Sequence, residues 1–293
     1  MLGSATPYLL ATLSAVCYGA ADFAGGLVTR RVAAIPVVLL SQASGLVVVA
    51  VAVLLPFLAA APRAADLWWG AGAGLFGGIG VGLLYYALAI GTMSVVAPTT
   101  ALAAVVIPVI TSIAQGERPG SLTVVGIVLG IAAIVLVSRP TVTPADRTAG
   151  TGATLRSSGV GAALVSGVAI GLFLVALAQT RPTSGLWPLV MARLSSVLLF
   201  VVIATVGRHS LRMAPRFTAV TLGGGALDMI ANALFLLAAQ IGPLSPVVTL
   251  CALYPATTVL LARLFLGERL NGWQAAGVVS ALVAVVLIVR AGA

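Results

Sequence analysis

The sequence predicts an all-α polytopic membrane protein of ten transmembrane helices, arranged as two inverted five-helix repeats. Three observations lead there. Hydrophobic residues make up 61% of the chain and charged residues 7%, against about 25% charged in an ordinary soluble domain. A chain of 293 residues cannot hide that much apolar surface from water, so lipid must solvate most of it. Apolar runs of the roughly 20 residues a crossing helix needs follow one another nearly end to end. The third observation is a duplication: Ile90 to Arg139 recurs as Ile241 to Arg290. An offset of 151 residues lays Gly116-Glu117-Arg118 on Gly267-Glu268-Arg269, Ser94 on Ser245 and Gly126 on Gly277. Apolar identities count for little in such a chain. The Gly-Glu-Arg triplet counts for more, because charge is scarce here. A β-barrel would instead show short alternating segments.

Taken in order, the first span runs from about Tyr8 to Val28 and ends at Arg30-Arg31; no Lys or Arg precedes it, so the start lacks the basic region of a cleaved signal peptide. The second covers Pro36 to Ala59. Trp68-Trp69 mark the interface where the third begins, which reaches Ala89; the fourth occupies Met93 to Gln115 and the fifth Ser121 to Ser138. The second half repeats the plan over Gly159–Gln179, Leu186–Val206, Phe217–Gln240, Leu244–Leu266 and Asn271–Val289. The expected organisation is a first repeat over 6–139, a polar linker over 140–157 and a second repeat over 158–290. The opening helices also align, Ser14, Val16, Gly19 and Ala24 falling on Ser166, Val168, Gly171 and Ala176.

Five crossings per repeat is an odd number, so the second repeat enters from the opposite side. Inverted repeats of this kind are a recurrent design of secondary transporters, with the site between them near the midplane. Arginines concentrate in the loops after the odd-numbered spans, including Arg30, Arg31, Arg147 and Arg212, which by the positive-inside rule favours termini outside the cytoplasm but leaves the orientation open.

The net charge of +9 comes entirely from arginine. Scattered over short loops, these arginines read as topology signals and lipid-headgroup contacts, and no nucleic-acid partner is expected. Without lysine there is no Walker A lysine and no Schiff base, so an ATP-driven pump is disfavoured. Cys17 and Cys251 fall within spans and read as small buried hydrophobes. His209 stands alone in a loop. No metal and no cofactor are expected.

Ionisable groups inside spans are costly and are functional candidates by default. Asp22 lies two-thirds through the first span with Tyr18 one turn before it, and Asp228 lies mid-span in the eighth with Asn232 one turn on. The i, i+4 spacing aims each pair in one direction. Arg193 falls within the seventh span. Either aspartate could titrate or bind a cationic group, with Arg193 as partner or anion anchor; the plainer reading is a structural ion pair. Tyr254-Pro255 sits mid-span in the ninth, where proline frees a backbone carbonyl and tyrosine offers a hydroxyl. Gln42 in the second span is a further polar candidate. Gly70, Gly74, Gly78 and Gly82 form a ridge along the third span that lets a neighbouring helix approach closely. Glu117 and Glu268 read as turn and capping groups.

These residues resemble the drug/metabolite transporter superfamily, in particular the EamA-type ten-span exporters, over nearly the whole chain. Pro255 followed by Gly267-Glu268, and Arg193 early in the second helix of its repeat, match the family pattern. The first half departs from it, with Ser41 at the corresponding arginine position, Ala104 at the proline position, and Pro108 one turn later. The resemblance implies efflux of small metabolites, amino acids or drugs from a central cavity, without ATP hydrolysis, in a multi-pass protein of the cell (plasma or inner) membrane.

The expected function is therefore a secondary active transporter rather than an enzyme. Its partners are a small-molecule substrate and membrane lipid; proton coupling stays open, and a monomer suffices with oligomers left open. The candidate binding or coupling residues are Asp22, Tyr18, Asp228, Asn232, Arg193, Tyr254 and Gln42. The alternatives are a membrane-embedded enzyme, for which Asp22 and Asp228 are the conceivable acid pair, and a non-transporting scaffold or accessory subunit.

Overall fold

In hydrocarbon, backbone N–H and C=O groups have no water to bond, so apolar runs fold as helices that satisfy those groups internally. The computed structural model describes residues 2–55, 61–91, 93–137, 159–266 and 272–292, and every α-helix among them is apolar in character. In chain order they are α1 (Leu2–Thr29), α2 (Ala34–Val53), α3 (Ala64–Ile90), α4 (Met93–Ala114), α5 (Ser121–Val137) and α6 (Val160–Ala178). Then follow α7 (Trp187–Val206), α8 (Pro215–Ile241), α9 (Leu244–Cys251), α10 (Tyr254–Leu266) and α11 (Gly272–Gly292). A 3-10 turn, Pro182–Ser184, stands between α6 and α7. The linker over 140–157 and the second triplet, Gly267-Glu268-Arg269, lie outside the described residues.

Among the described residues, seven segments are long and apolar enough to cross a membrane, and shorter apolar helices cover Thr99–Ala114 and Ser121–Ala133. Their outer faces carry large apolar side chains that a water-soluble protein would bury, Leu54, Leu264 and Phe265 among them. Trp68, 77% exposed at the start of α3, has the amphipathic ring expected at a membrane interface.

Two elements differ from the sequence expectation. The second helix closes at Val53, several residues before Ala59, with a turn at Leu54. The ninth span is two helices rather than one kinked helix. Pro255 has no N–H to return to the Cys251 carbonyl, and the chain crosses the gap by three-residue bonds, Leu253 N to Leu250 O at 3.2 Å and Ala256 N to Leu253 O at 3.0 Å. Pro108 causes no such break, and α4 is continuous through it.

Contacts between helices fix their directions. Pro7 packs at Gly242 and Ala24 at Gly224, so α1 and α8 run antiparallel. Against the ninth span α1 runs parallel: Cys251 Sγ donates to Ala11 O (3.5 Å) and Thr258 Oγ1 to Gly19 O (3.1 Å). Helix α6 is antiparallel to α3, meeting Ala87 at Gly159 and Gly77 at Phe173. It is parallel to α4, where Thr100 Oγ1 donates to Ala163 O (3.2 Å) and Gly171 lies against Ala104 and Ile107.

The duplication is visible in individual bonds. Ser14 Oγ donates to Ala231 O at 2.7 Å, and Ser166 Oγ donates to Gly80 O at 2.7 Å; these are equivalent positions of the two halves. Likewise a methyl group at Gly74 would collide with the Ala192 carbonyl oxygen, and one at Gly225 with that of Ser41. The glycine ridge of α3 is therefore a packing surface for α7, with Gly82 under Phe200 at its far end.

The halves interleave. Helices α1 and α2 pack mainly on α8, and α1 also on α9 and α10, while α3 and α4 pack on α6 and α3 on α7. Two bundles result, each drawing on both halves, with α2 against α7 and α4 against α9 joining them and α5 lying along α11. At one end of the structure, buried Asp66 accepts from Ser184 Oγ (2.6 Å) and from the Arg181 amide (3.4 Å), which ties the start of α3 to the 3-10 turn.

Candidate functional site

Helical spacing places Tyr18 and Asp22 on one face of α1, and Asp228 and Asn232 on one face of α8. The Ser14–Ala231 bond holds those faces in register. Tyr18 Oη donates to Asn232 Oδ1 at 3.0 Å, and Asn232 Nδ2 donates to the Asp228 carbonyl at 2.6 Å and to its Oδ2 at 3.3 Å. That carboxylate pairs with the guanidinium of Arg193, reaching across from α7. Arg193 also donates to Gln42 Oε1 and, through Nε, to Met229 Sδ at 3.4 Å. Ser196 Oγ, one turn beyond Arg193, donates to Gln42 Oε1 at 3.2 Å. The result is a continuous buried polar network, Tyr18–Asn232–Asp228–Arg193–Gln42–Ser196. In so dry a setting each member must be partnered, because an orphaned polar group would cost more than a hydrogen bond returns.

Gln42 rather than Ser41 occupies the position facing Arg193. The two stand 151 residues apart, the repeat offset itself, and equivalent residues meet each other where equivalent helices cross on a common axis. The glutamine amide oxygen thus fills the place opposite the arginine with an acceptor and no second positive charge.

The Tyr254 ring lies tilted at 60° to that of Tyr18, centroids 6.3 Å apart, an edge-to-face type of contact. Its hydroxyl donates to Ala97 O at 3.4 Å. Asp22 is buried at 9% exposure and, among the described residues, its carboxyl group makes no hydrogen bond and no ion pair.

All seven residues singled out from the sequence line one cavity, which encloses about 820 Å³ including its open mouth. Both halves contribute, and the break between α9 and α10 is part of the wall through Cys251, Ala252 and Tyr254. Non-helical backbone at membrane depth is tolerated where it borders such a space. Sequence reasoning missed Met229 beside Arg193, Ser196, and the apolar side of the cavity, Phe173, Leu174, Val81 and Leu84 among others. Ser196 was within reach of it, being three residues past Arg193 and so on the same helical face. The apolar residues were not, since nothing distinguishes a cavity leucine from a lipid-facing one in sequence. Among the described residues, no group of three or more His, Cys, Asp or Glu side chains is placed to hold a metal.

No curated protein matches the chain significantly. Seventeen solved chains do; one, described only as "Crystal structure of protein", superposes with a TM-score of 0.71 at 17% identity, covering 97% of this chain and 96% of that one, which shows a shared fold. The family profile is more specific. It matches twice, over residues 5–139 and 157–290, the two stretches whose helices interleave around the cavity, and on that repeated match the chain belongs to the EamA-like transporter family.

Proposed function

We propose that the protein is a secondary active transporter of the cell membrane, exporting small metabolites, amino acids or drugs by alternating access around this cavity. In this reading the chain crosses the bilayer ten times as two inverted five-helix repeats, over 6–139 and 158–290. The antiparallel lie of α6 on α3 and its parallel lie on α4 support the inversion. With α9 and α10 together as the ninth crossing, the 21 residues of α11, about 30 Å at 1.5 Å per residue, supply the tenth.

One observation carries the proposal: a cavity lined by an ion-paired, hydrogen-bonded network, bordered by a broken helix and by both repeats, inside a chain that lipid must solvate. Buried ion pairs are weak sources of stability, so a network of this length in an apolar bundle is best accounted for by what it binds. Tyr18, Asp22, Gln42, Arg193, Asp228, Asn232 and Tyr254 are assigned to substrate binding or coupling. Arg193 takes up the charge of Asp228, which leaves no pair of free carboxylates for acid–base catalysis.

The test is a metabolite library screened for thermal stabilisation of the purified protein, followed by counterflow in proteoliposomes. Ligands that stabilise and also exchange support transport. Stabilisation without exchange of any of them would remove the transporter reading in favour of a scaffold. For proton coupling the variant is Asp228→Asn: transport that keeps its wild-type pH profile in vesicles removes that residue from the coupling path.

A further inference from the structure

The duplication puts equivalent positions of the two halves into the same cavity, and the residues at those positions have diverged in one direction. Tyr18 and Asp22 on α1 correspond, at the 152-residue offset of the opening helices, to Ile170 and Leu174 on α6. Asp228 and Asn232 on α8 correspond, at 151, to Gly77 and Val81 on α3. All of these border the cavity. One wall is therefore polar and the pseudo-equivalent wall apolar, and the space between them is itself amphipathic.

Arg193 and Asp228 neutralise each other across the ion pair, and a second guanidinium nitrogen is engaged by Gln42. The other titratable groups at the wall, Tyr18, Tyr254 and Cys251, are neutral near pH 7 at their ordinary values. That leaves Asp22, without a hydrogen-bonding partner among the described residues and open to the cavity. A carboxyl group in so apolar a place holds its charge only when a positive group reaches it. Tyr18 stands one turn away on the same face, its ring 6.3 Å from that of Tyr254, and both tyrosines line the cavity with Asp22. Aromatic faces attract ammonium groups. An anion would find one guanidinium, already held, and could take it only by displacing the Asp228 carboxylate.

We propose that the cavity selects small amphipathic monocations, with an amine or quaternary ammonium head at Asp22 and an aromatic or aliphatic body against Phe173 and Leu174. This rests on the transport reading of the same cavity and names its substrate class.

Three probes of one shape and different charge test it: phenethylamine, phenylalanine and 3-phenylpropionate, titrated by calorimetry into the purified full-length protein. The amine is expected to bind about tenfold or more tightly than either of the others. Asp22→Asn should abolish that preference, and Asp22→Glu, which restores the charge, should return most of it. Equal affinities, tighter binding of the zwitterion or the acid, no binding of any probe, or amine affinity unchanged in Asp22→Asn would each overturn the assignment. The ranking on the wild-type protein stands by itself if Asp22→Asn does not fold. Counterflow with the same probes separates the two readings: preferred exchange of the zwitterion sinks the cation assignment alone, while amine binding without exchange of any probe sinks transport alone.

Discussion

A guanidinium and a carboxylate held together inside an apolar bundle are tolerable only as a pair. Removing one partner strands the other, at about 3–5 kcal/mol, whereas replacing both with apolar groups of similar volume is often neutral. Arg193 is 6% exposed, so Arg193→Met should lower the unfolding free energy in detergent by roughly that amount. Asp228→Asn, which keeps a polar partner for Asn232 and the guanidinium, should cost less. The double variant Arg193→Met with Asp228→Leu should recover most of the loss; a double variant as unstable as the sum of the singles would mean that the pair does not interact as described. These charges were legible in the sequence because ionisable residues within apolar spans are rare and therefore conspicuous. Asp66 was not. Its place near a span boundary reads as a loop position, and only the fold brings Ser184 and Arg181 from the other half to bury it.

Elements meet their partners across the repeat boundary even at their ends. Glu117, in the turn after α4, accepts from the Ser245 amide with both carboxylate oxygens at 3.2 Å, at the start of α9. The sequence suggested a capping glutamate, and capping is its role, but the helix it caps belongs to the opposite half. An acidic group at a helix N-terminus satisfies an orphan N–H and complements the dipole. Glu117→Ala should therefore cost about 0.5–2 kcal/mol, read as a fall in melting temperature, with Glu117→Gln intermediate; an unchanged melting temperature would count against the cap. The same limit governs the rest of the site. The apolar runs located the helices and the proline marked where the ninth would give way, yet neither says which helix lies beside which. The sequence reading set Ser41 at the place matching Arg193, whereas the crossing of α2 and α7 brings Gln42 to the guanidinium.

At the scale of the molecule, most packing joins one half to the other, α1 to α8, α6 to α3 and α4, α5 to α11. Cutting the chain within 140–157 and expressing the two pieces together should therefore yield an assembled complex. Each piece alone should aggregate or be degraded, because it exposes the faces meant for its counterpart. Stable, monodisperse single halves would contradict the interleaved arrangement. The duplication itself could be read from the Gly-Glu-Arg triplets, since rare residues at a fixed spacing are informative. The interleaving could not, because Ala, Val, Leu and Gly fit many neighbours equally well. The polar network then acquires a mechanical meaning. Arg193 rides on α7, in the bundle built around α3 and α6, whereas Gln42, Asp228 and Met229 ride on α2 and α8 in the bundle built around α1. Prying the bundles apart at that height would leave opposite charges naked in oil, while rotation about it leaves them joined. If the protein works by the alternating access proposed, the arginine would serve as the fulcrum over which the two bodies rock like a lever, opening above as they close below.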